Sequence, residues 1–289
     1  MSLAETTIIT AFYPLKKSKH SLGKYRAWIQ NFCKIPAHMI IFTTETYMLE
    51  IYQWRKEYLD KTVVIMRPFD SFAMTCPAMM RFWEKQWALD PEKEIHGPEL
   101  YAVWAMKQEL VRIAINQNRF QSKWFVWCDI GIQRYSDLQN FYMTFPSEVA
   151  RLCDPGRLAF LEIASIPDSY VANWSEGKPM EYPLPKTTLG GGCIAGDEAA
   201  WLEFGEAYKE MLKEFALRGW FAGKDQEVFF AILMEKKAAT FKLFHAKTFG
   251  TSFTVPGIDW MSFPVMLGGT IDAPLDMRFE LTDNSKFHL

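Results

Sequence analysis

What this sequence lacks narrows the field first. It carries no excess of either charge, with 32 Lys and Arg against 34 Asp and Glu for a formal net charge of −2. No block of like charge forms a tail, and this balance excludes a face built to neutralise nucleic acid. Its five cysteines are odd in number and scattered at Cys33, Cys76, Cys128, Cys153 and Cys193, with no C-x-x-C pair. That excludes a disulfide frame and a thiolate zinc site, and points to reduced thiols. No apolar run approaches the roughly 20 residues of a membrane span, and neither end reads as a signal peptide. The expectation is a cytoplasmic protein without a transmembrane segment. There is no internal repeat, low-complexity tract or linker, so the 289 residues are expected to fold as one domain.

What is present is apolar and aromatic. Apolar residues make up 49% of the chain and aromatic residues 16%, with 11 Trp and 23 Phe. That suffices for a large core, and flat rings also suit stacking on sugars or bases. Thr6 to Phe12, His38 to Thr43 and Thr62 to Met66 are β-branched, apolar runs that read as strands. Between them, Gly23 to Cys33 and Glu45 to Leu59 carry apolar residues at helical spacing. Strand, helix, strand, helix, strand predicts an α/β fold with a mostly parallel sheet flanked by helices. The segment after Pro77 reads as a helix, and Glu99 to Asn118 as a longer one with an apolar stripe that includes Trp104, Leu110 and Val111. Lys107 falls inside that stripe. A lysine there either snorkels to the edge or is aimed at an anion.

The chain is organised around Trp124 to Cys128, five apolar residues without alternation, which predicts a strand covered on both faces. It stops at Asp129, and Gly131 follows. A carboxylate at the carboxyl end of a buried strand is where open α/β sheets place ligands, although Asp also caps turns. Arg157 to Ala164 and Thr240 to Ala246 read as further strands, the latter carrying His245. Ile166 to Thr188 reads as a long loop. Leu189 to Asp197 (LGGGCIAGD) either opens its backbone to an anion or hydroxyl-rich ligand or makes a tight turn. It matches neither G-x-G-x-x-G nor the P-loop pattern. Glu198 to Arg218 and the segment from Asp225 onward read as helices, with Asp225 on the apolar face of its helix or capping it. The last forty residues read as an irregular wrap.

Lys107, Asp129, the Gly190–Gly192 run, Asp225 and His245 all break apolar surroundings. Together they supply carboxylates, an imidazole and a cation. That set suits transfer from a diphosphate-activated donor with Mn²⁺ or Mg²⁺, which prefer carboxylate and phosphate oxygens; Mn²⁺ also tolerates imidazole.

The Thr7-Ile8-Ile9-Thr10-Ala11-Phe12 strand, Tyr25 and Trp28, Lys107-x-x-Leu110-Val111, Asn118-x-Phe120, Phe125-x-Trp127-x-Asp129-x-Gly131, a Gly-Gly run before Trp201, and Lys224-Asp225-Gln226 form a further pattern. From about Thr6 to Leu233 it resembles the HtrL/YibB (WlaTC-type) family of GT-A-fold, nucleotide-sugar-dependent glycosyltransferases. The resemblance implies a single GT-A-like, Rossmann-like domain. Its nucleotide-sugar-binding half would span 1–135 and its acceptor-side half 136–289. It implies that Asp129 takes the part of the donor- and metal-binding Asp of a D-x-D element, with Gly131 in the third place and His245 as a further metal ligand. Thr10, Ala11, Phe12 and Tyr13 would flank base and ribose, Lys107 would reach the donor sugar or diphosphate, Gly191 and Gly192 would line the sugar, and Gln226 would lie on the donor side. Asp225 is the first candidate for general base, with Asp197 and Glu198 behind it. The partners implied are a nucleotide-diphosphate sugar, UDP-sugar favoured, and a glycan acceptor in glycan biosynthesis. A non-catalytic nucleotide-sugar or carbohydrate-binding module of the same fold is the alternative. A nucleotidyltransferase ranks last, because Tyr13-Pro14-Leu15-Lys16-Lys17 after the first strand has no glycine.

Overall fold

A computed structural model describes residues 5–134, 142–176, 184, 186–236, 240–248, 258–269 and 277–281. Its strands are β1 (Thr6–Phe12), β2 (His38–Thr43), β3 (Thr62–Met66), β4 (Trp124–Cys128), β5 (Leu158–Glu162), β6 (Leu189–Asp197), β7 (Phe241–Thr248) and β8 (Met277–Leu281). They form one eight-stranded sheet in the order β3-β2-β1-β4-β6-β5-β7-β8. The first four in that order are mutually parallel, and β5 is parallel to β7. β6 runs against both β4 and β5, and β8 against β7. The protein is thus mixed α/β, with a mostly parallel sheet as expected. Among the described residues no helix is long and apolar enough to cross a membrane.

The helices that matter here are α1 (Leu22–Phe32), α2 (Glu45–Trp54), α3 (Pro77–Leu89), α4 (Pro98–Ala105), α5 (Lys107–Gln117), α6 (Val149–Leu152), α7 (Asp168–Ser175), α8 (Glu198–Arg218) and α9 (Asp225–Lys236). Two apolar cores sandwich the sheet. Ile9, Phe125 and Trp127 point to the one containing Leu110, Trp201, Phe204 and Phe229; Ile8, Val126 and Cys128 point to the other, with Ile29 and Phe32 of α1. This is why β4 shows no alternation: both of its faces are covered, as in a central strand of a parallel sheet. Truncating one of its large side chains, such as Phe125 at 1% exposure, costs about 3–5 kcal/mol.

Three expectations need correction. The Glu99–Asn118 helix is two helices, α4 and α5, joined at Met106 (φ −83°, ψ −2°). The glycine-rich Leu189–Asp197 segment is a strand in the middle of the sheet, nine residues long. Glycine weakens strands, but here Leu189, Cys193, Ile194 and Ala195 are buried and ladder bonds on both sides compensate. The described parts of the expected Ile166–Thr188 loop and of the C-terminal wrap contain α7, two short helices (Ile258–Met261 and Phe263–Leu267) and β8; the remainder lies outside the described residues.

Candidate functional site

The site forms at the carboxyl edge of β4, where β6 begins. The kink at Met106 makes Lys107 the first residue of α5 and aims it inward. A lysine at a helix N-terminus opposes the macrodipole, so nothing in local helix preference asks for it. Its side chain is 4% exposed, with Nζ 2.8 Å from Asp225 Oδ2 and 3.4 Å from Asp129 Oδ1. Nζ also donates to the Gly191 carbonyl at 2.7 Å and lies 5.9 Å from the centroid of the Trp127 ring. Burial works against its charge, but Asp129 and Asp225 outweigh it, so the Lys107 pKa stands above the usual lysine value.

Asp225 opens α9, where the helix dipole favours an acid. It is 3% exposed. Burial raises its pKa above the ordinary value, opposed in part by Lys107. Its Oδ2 accepts no well-aligned hydrogen bond even though Nζ is 2.8 Å away; the contact is ionic, the ammonium being aimed at Gly191. Asp129 is different: its side chain is 41% exposed. Its Oδ1 accepts from the Trp127 indole N–H at 2.8 Å, while Oδ2 takes no hydrogen bond from the described residues.

The glycines serve the protein's own groups. A Cβ on Gly191 would lie 2.9 Å from Asp225 Oδ2, one on Gly131 would lie 3.4 Å from Tyr25 and 3.6 Å from Trp28, and one on Gly192 would lie 3.6 Å from Asp129 Oδ2. Gly191 therefore admits the buried carboxylate, and Gly192 keeps the space beside the open oxygen clear.

The structure brings Lys107, Asp129, Gly131, Gly191, Gly192 and Asp225 to this edge, with Gln226, half-buried, next in the chain. Thr10, Phe12 and Tyr13 are buried in or just past β1, leaving Ala11 partly exposed; the Tyr13 hydroxyl donates to the Arg67 carbonyl. Two candidates are not brought in. Asp197 pairs in register with Trp124 at the far end of β4, about 16 Å away at 3.3 Å per residue. It caps α8, accepting from the N–H groups of Ala200 and Gly156 at 2.9 Å each, and Glu198 follows it there. His245 lies on β7, three strands from β4, roughly 14 Å at the usual strand spacing. Its Nδ1 is 3.2 Å from the Glu162 carbonyl oxygen, and it does not join Asp129 on one ion in this arrangement.

Sequence reasoning missed Trp127 as a contact of Asp129. The signal was the i, i+2 spacing, which puts both side chains on one face of the strand. It also missed Asp90, Glu92 and His96, whose ligand atoms lie within 4.8 Å of one another, a set compatible with a divalent ion. These three already hold each other. Asp90 accepts from Glu92 N at 2.8 Å and Tyr101 OH at 2.5 Å, and lies 2.7 Å from the His96 ring. Burial opposes its charge, yet these donors keep its pKa below the usual carboxylate range. Glu92 pairs with Lys224, the residue before Asp225. Two surface hollows, of about 320 Å³ at Trp174, Met211 and Trp220 and about 650 Å³ at Trp124, Asp197 and Leu202, touch none of Lys107, Asp129 and Asp225.

A divalent ion fits at Asp129 through Oδ2, with Oδ1 already held. Among the described residues this is the single oxygen supplied, and the remaining positions fall to water or to phosphates of a bound nucleotide. Mg²⁺ in particular is often bound so, by one or two carboxylates together with substrate phosphates.

No protein-family model matches this chain, and comparison with curated proteins finds no match. Among solved structures, the apo crystal structure of mouse xyloside xylosyltransferase 1 is similar at a TM-score of 0.41 and 11% identity, over 83% of this chain and 84% of that one. A likeness that distant decides neither fold nor chemistry.

Proposed function

We propose that this protein is a nucleotide-sugar-dependent glycosyltransferase moving a hexosyl or pentosyl group from a nucleotide-diphosphate donor, UDP-linked by preference, to a hydroxyl of a glycan acceptor. The observation that carries this is the half-open Asp129 carboxylate at the carboxyl edge of the central strand, backed by the buried Lys107–Asp225 pair. Open α/β sheets bind ligands at that edge, and the motif resemblance supports the same reading. Residues 1–135 would hold the donor and 136–289 the acceptor side.

In this reading Asp129 Oδ2 meets the donor side. A bound Mn²⁺ or Mg²⁺ there would offset charge on the leaving diphosphate. Lys107 has three oxygens around its ammonium and 4% exposure. It therefore acts through the two carboxylates it fixes, and does not grip phosphate itself. Asp225 keeps that ammonium in place, and Ala11 and Gln226 border the donor.

Calorimetry with nucleoside diphosphates and Mn²⁺ tests the proposal: saturable heat is expected, and Asp129→Ala is expected to remove it. A full panel of nucleoside diphosphates giving no heat would sink it. A second reading, a binding module without turnover, is favoured by one observation: Asp225, the candidate base, is 3% exposed and ion-paired. Donor binding without hydrolysis or transfer under any divalent ion would select that reading.

A further inference from the structure

Building on that reading, we propose that Trp127 is a positioning residue. Its indole N–H fixes the Asp129 carboxylate with one oxygen outward, so that a divalent ion is held only jointly with a nucleotide diphosphate.

A buried indole N–H needs an acceptor, and for Trp83 and Trp201 that acceptor is main chain. Trp83 donates to the Met74 carbonyl at 2.9 Å and Trp201 to that of Phe125 at 3.0 Å. Trp127, 2% exposed, instead donates to the Asp129 side chain at 2.8 Å. The donor is neutral, so it orients the carboxylate without cancelling its charge, and Lys107 stands further off, at 3.4 Å. Gly192 leaves the space beside Oδ2 clear.

One oriented oxygen, the one the described residues offer, is a poor site for a bare ion, because water fills the positions that protein oxygens do not. Diphosphate oxygens complete the shell, so ion and nucleotide each raise the other's affinity by the same factor, as linkage requires. Removing the indole N–H frees the carboxylate to rotate and erodes that factor, while nucleotide contacts elsewhere stay intact.

Trp127→Phe keeps an aromatic ring in the core and removes the donor. Calorimetry on the full chain would measure Mn²⁺ with and without UDP, and UDP with and without Mn²⁺. In the wild type, Mn²⁺ alone should give no saturable binding at submillimolar concentration that Asp129→Ala removes, and UDP should raise the affinity of the Asp129-dependent ion within the roughly 5–150-fold range of such couplings. In Trp127→Phe the coupling should fall several-fold, with UDP affinity in the absence of metal unchanged. Tight Mn²⁺ binding without UDP that Asp129→Ala removes, or full coupling in Trp127→Phe, overturns the inference. UDP binding that Asp129→Ala does not affect overturns the underlying assignment of the site as well. Should Trp127→Phe not fold, the indole resonance that Asp129→Asn shifts in ¹⁵N-tryptophan-labelled protein serves instead. It should broaden with Mn²⁺ plus UDP and not with Mn²⁺ alone; broadening by Mn²⁺ alone overturns the inference.

Discussion

Two aspartates end two neighbouring strands at opposite edges of the sheet, and they do opposite things. Asp197 closes β6 with both oxygens accepting main-chain N–H groups, from Ala200 and Gly156. Asp129 follows β4 with one oxygen on an indole and the other open. The first has spent its hydrogen-bonding capacity on the fold, and the second has kept some. Residue type does not separate them, since aspartate is equally at home at a helix N-cap and in a ligand site. What separates them is the number of lone pairs left over, together with what lies behind each. Behind Asp129 are the buried Lys107 and Asp225; behind Asp197 is a helix N-terminus.

That contrast breaks most severely at Lys107. Lys107→Met strips the cation from Asp225, which is 3% exposed, and loss of one partner of a buried ion pair costs about 3–5 kcal/mol. Denaturant unfolding of Lys107→Met should show this loss. Adding Asp225→Asn should recover part of it, because the orphaned charge goes too. Recovery of nothing would mean that the pair is not the source of the cost.

Just beyond Asp225 along α9 lies a buried acid without a cation in contact among the described residues. Glu227, 2% exposed, accepts from the Leu184 N–H at 2.9 Å. Burial lifts its pKa from 4.5 to about 7, with that bond and Lys224 pulling the other way. The folded state thus holds this proton more tightly than the unfolded chain. Its contribution to stability is complete below pH 4.5 and fades as pH rises through about 7, a loss of about 3 kcal/mol at 1.36 kcal/mol per unit. Glu227→Gln should flatten that part of the melting-temperature profile. An unchanged profile would assign the slope to other groups.

The contrast between the edges was only half legible in the sequence. The strands β1 to β4 follow from runs of β-branched and apolar residues whose pattern is local, and α8 from its long periodic stripe. Asp129 was legible because an uninterrupted apolar strand stops on it. Lys107 was legible because it interrupts an apolar stripe. β6 was not legible as a strand: Gly190 to Gly192 have no strand preference, and long-range pairing holds them extended, Gly190 with Leu161, Cys193 with Cys128 and Ala195 with Val126 and Ala159. The same long-range pairing carries Asp197 to the far edge, and the strand order, invisible locally, separates His245 from Asp129.

Losing the Asp197 cap should be felt in stability alone. Asp197→Ala removes an N-cap, worth about 0.5–2 kcal/mol. The Gly156 N–H also loses its acceptor. Nucleotide binding should be unchanged, since the residue lies at the other end of β4. Altered nucleotide affinity in Asp197→Ala would bring the two edges into one site and dissolve the comparison.

Asp129→Ala should be the mirror image, with a smaller effect on folding than Lys107→Met and the largest on ligand. Its side chain is 41% exposed, so the desolvation it relieves is modest, but the buried Trp127 indole N–H loses its acceptor. Lys107 still has Asp225 and the Gly191 carbonyl. A buried donor left unpaired costs about 1–3 kcal/mol, and thermal unfolding of Asp129→Ala should show a loss of that order while metal-dependent nucleotide binding disappears. A loss of stability as large as that of Lys107→Met would show the reverse, that Asp129 is there to hold Lys107 and not to meet a ligand.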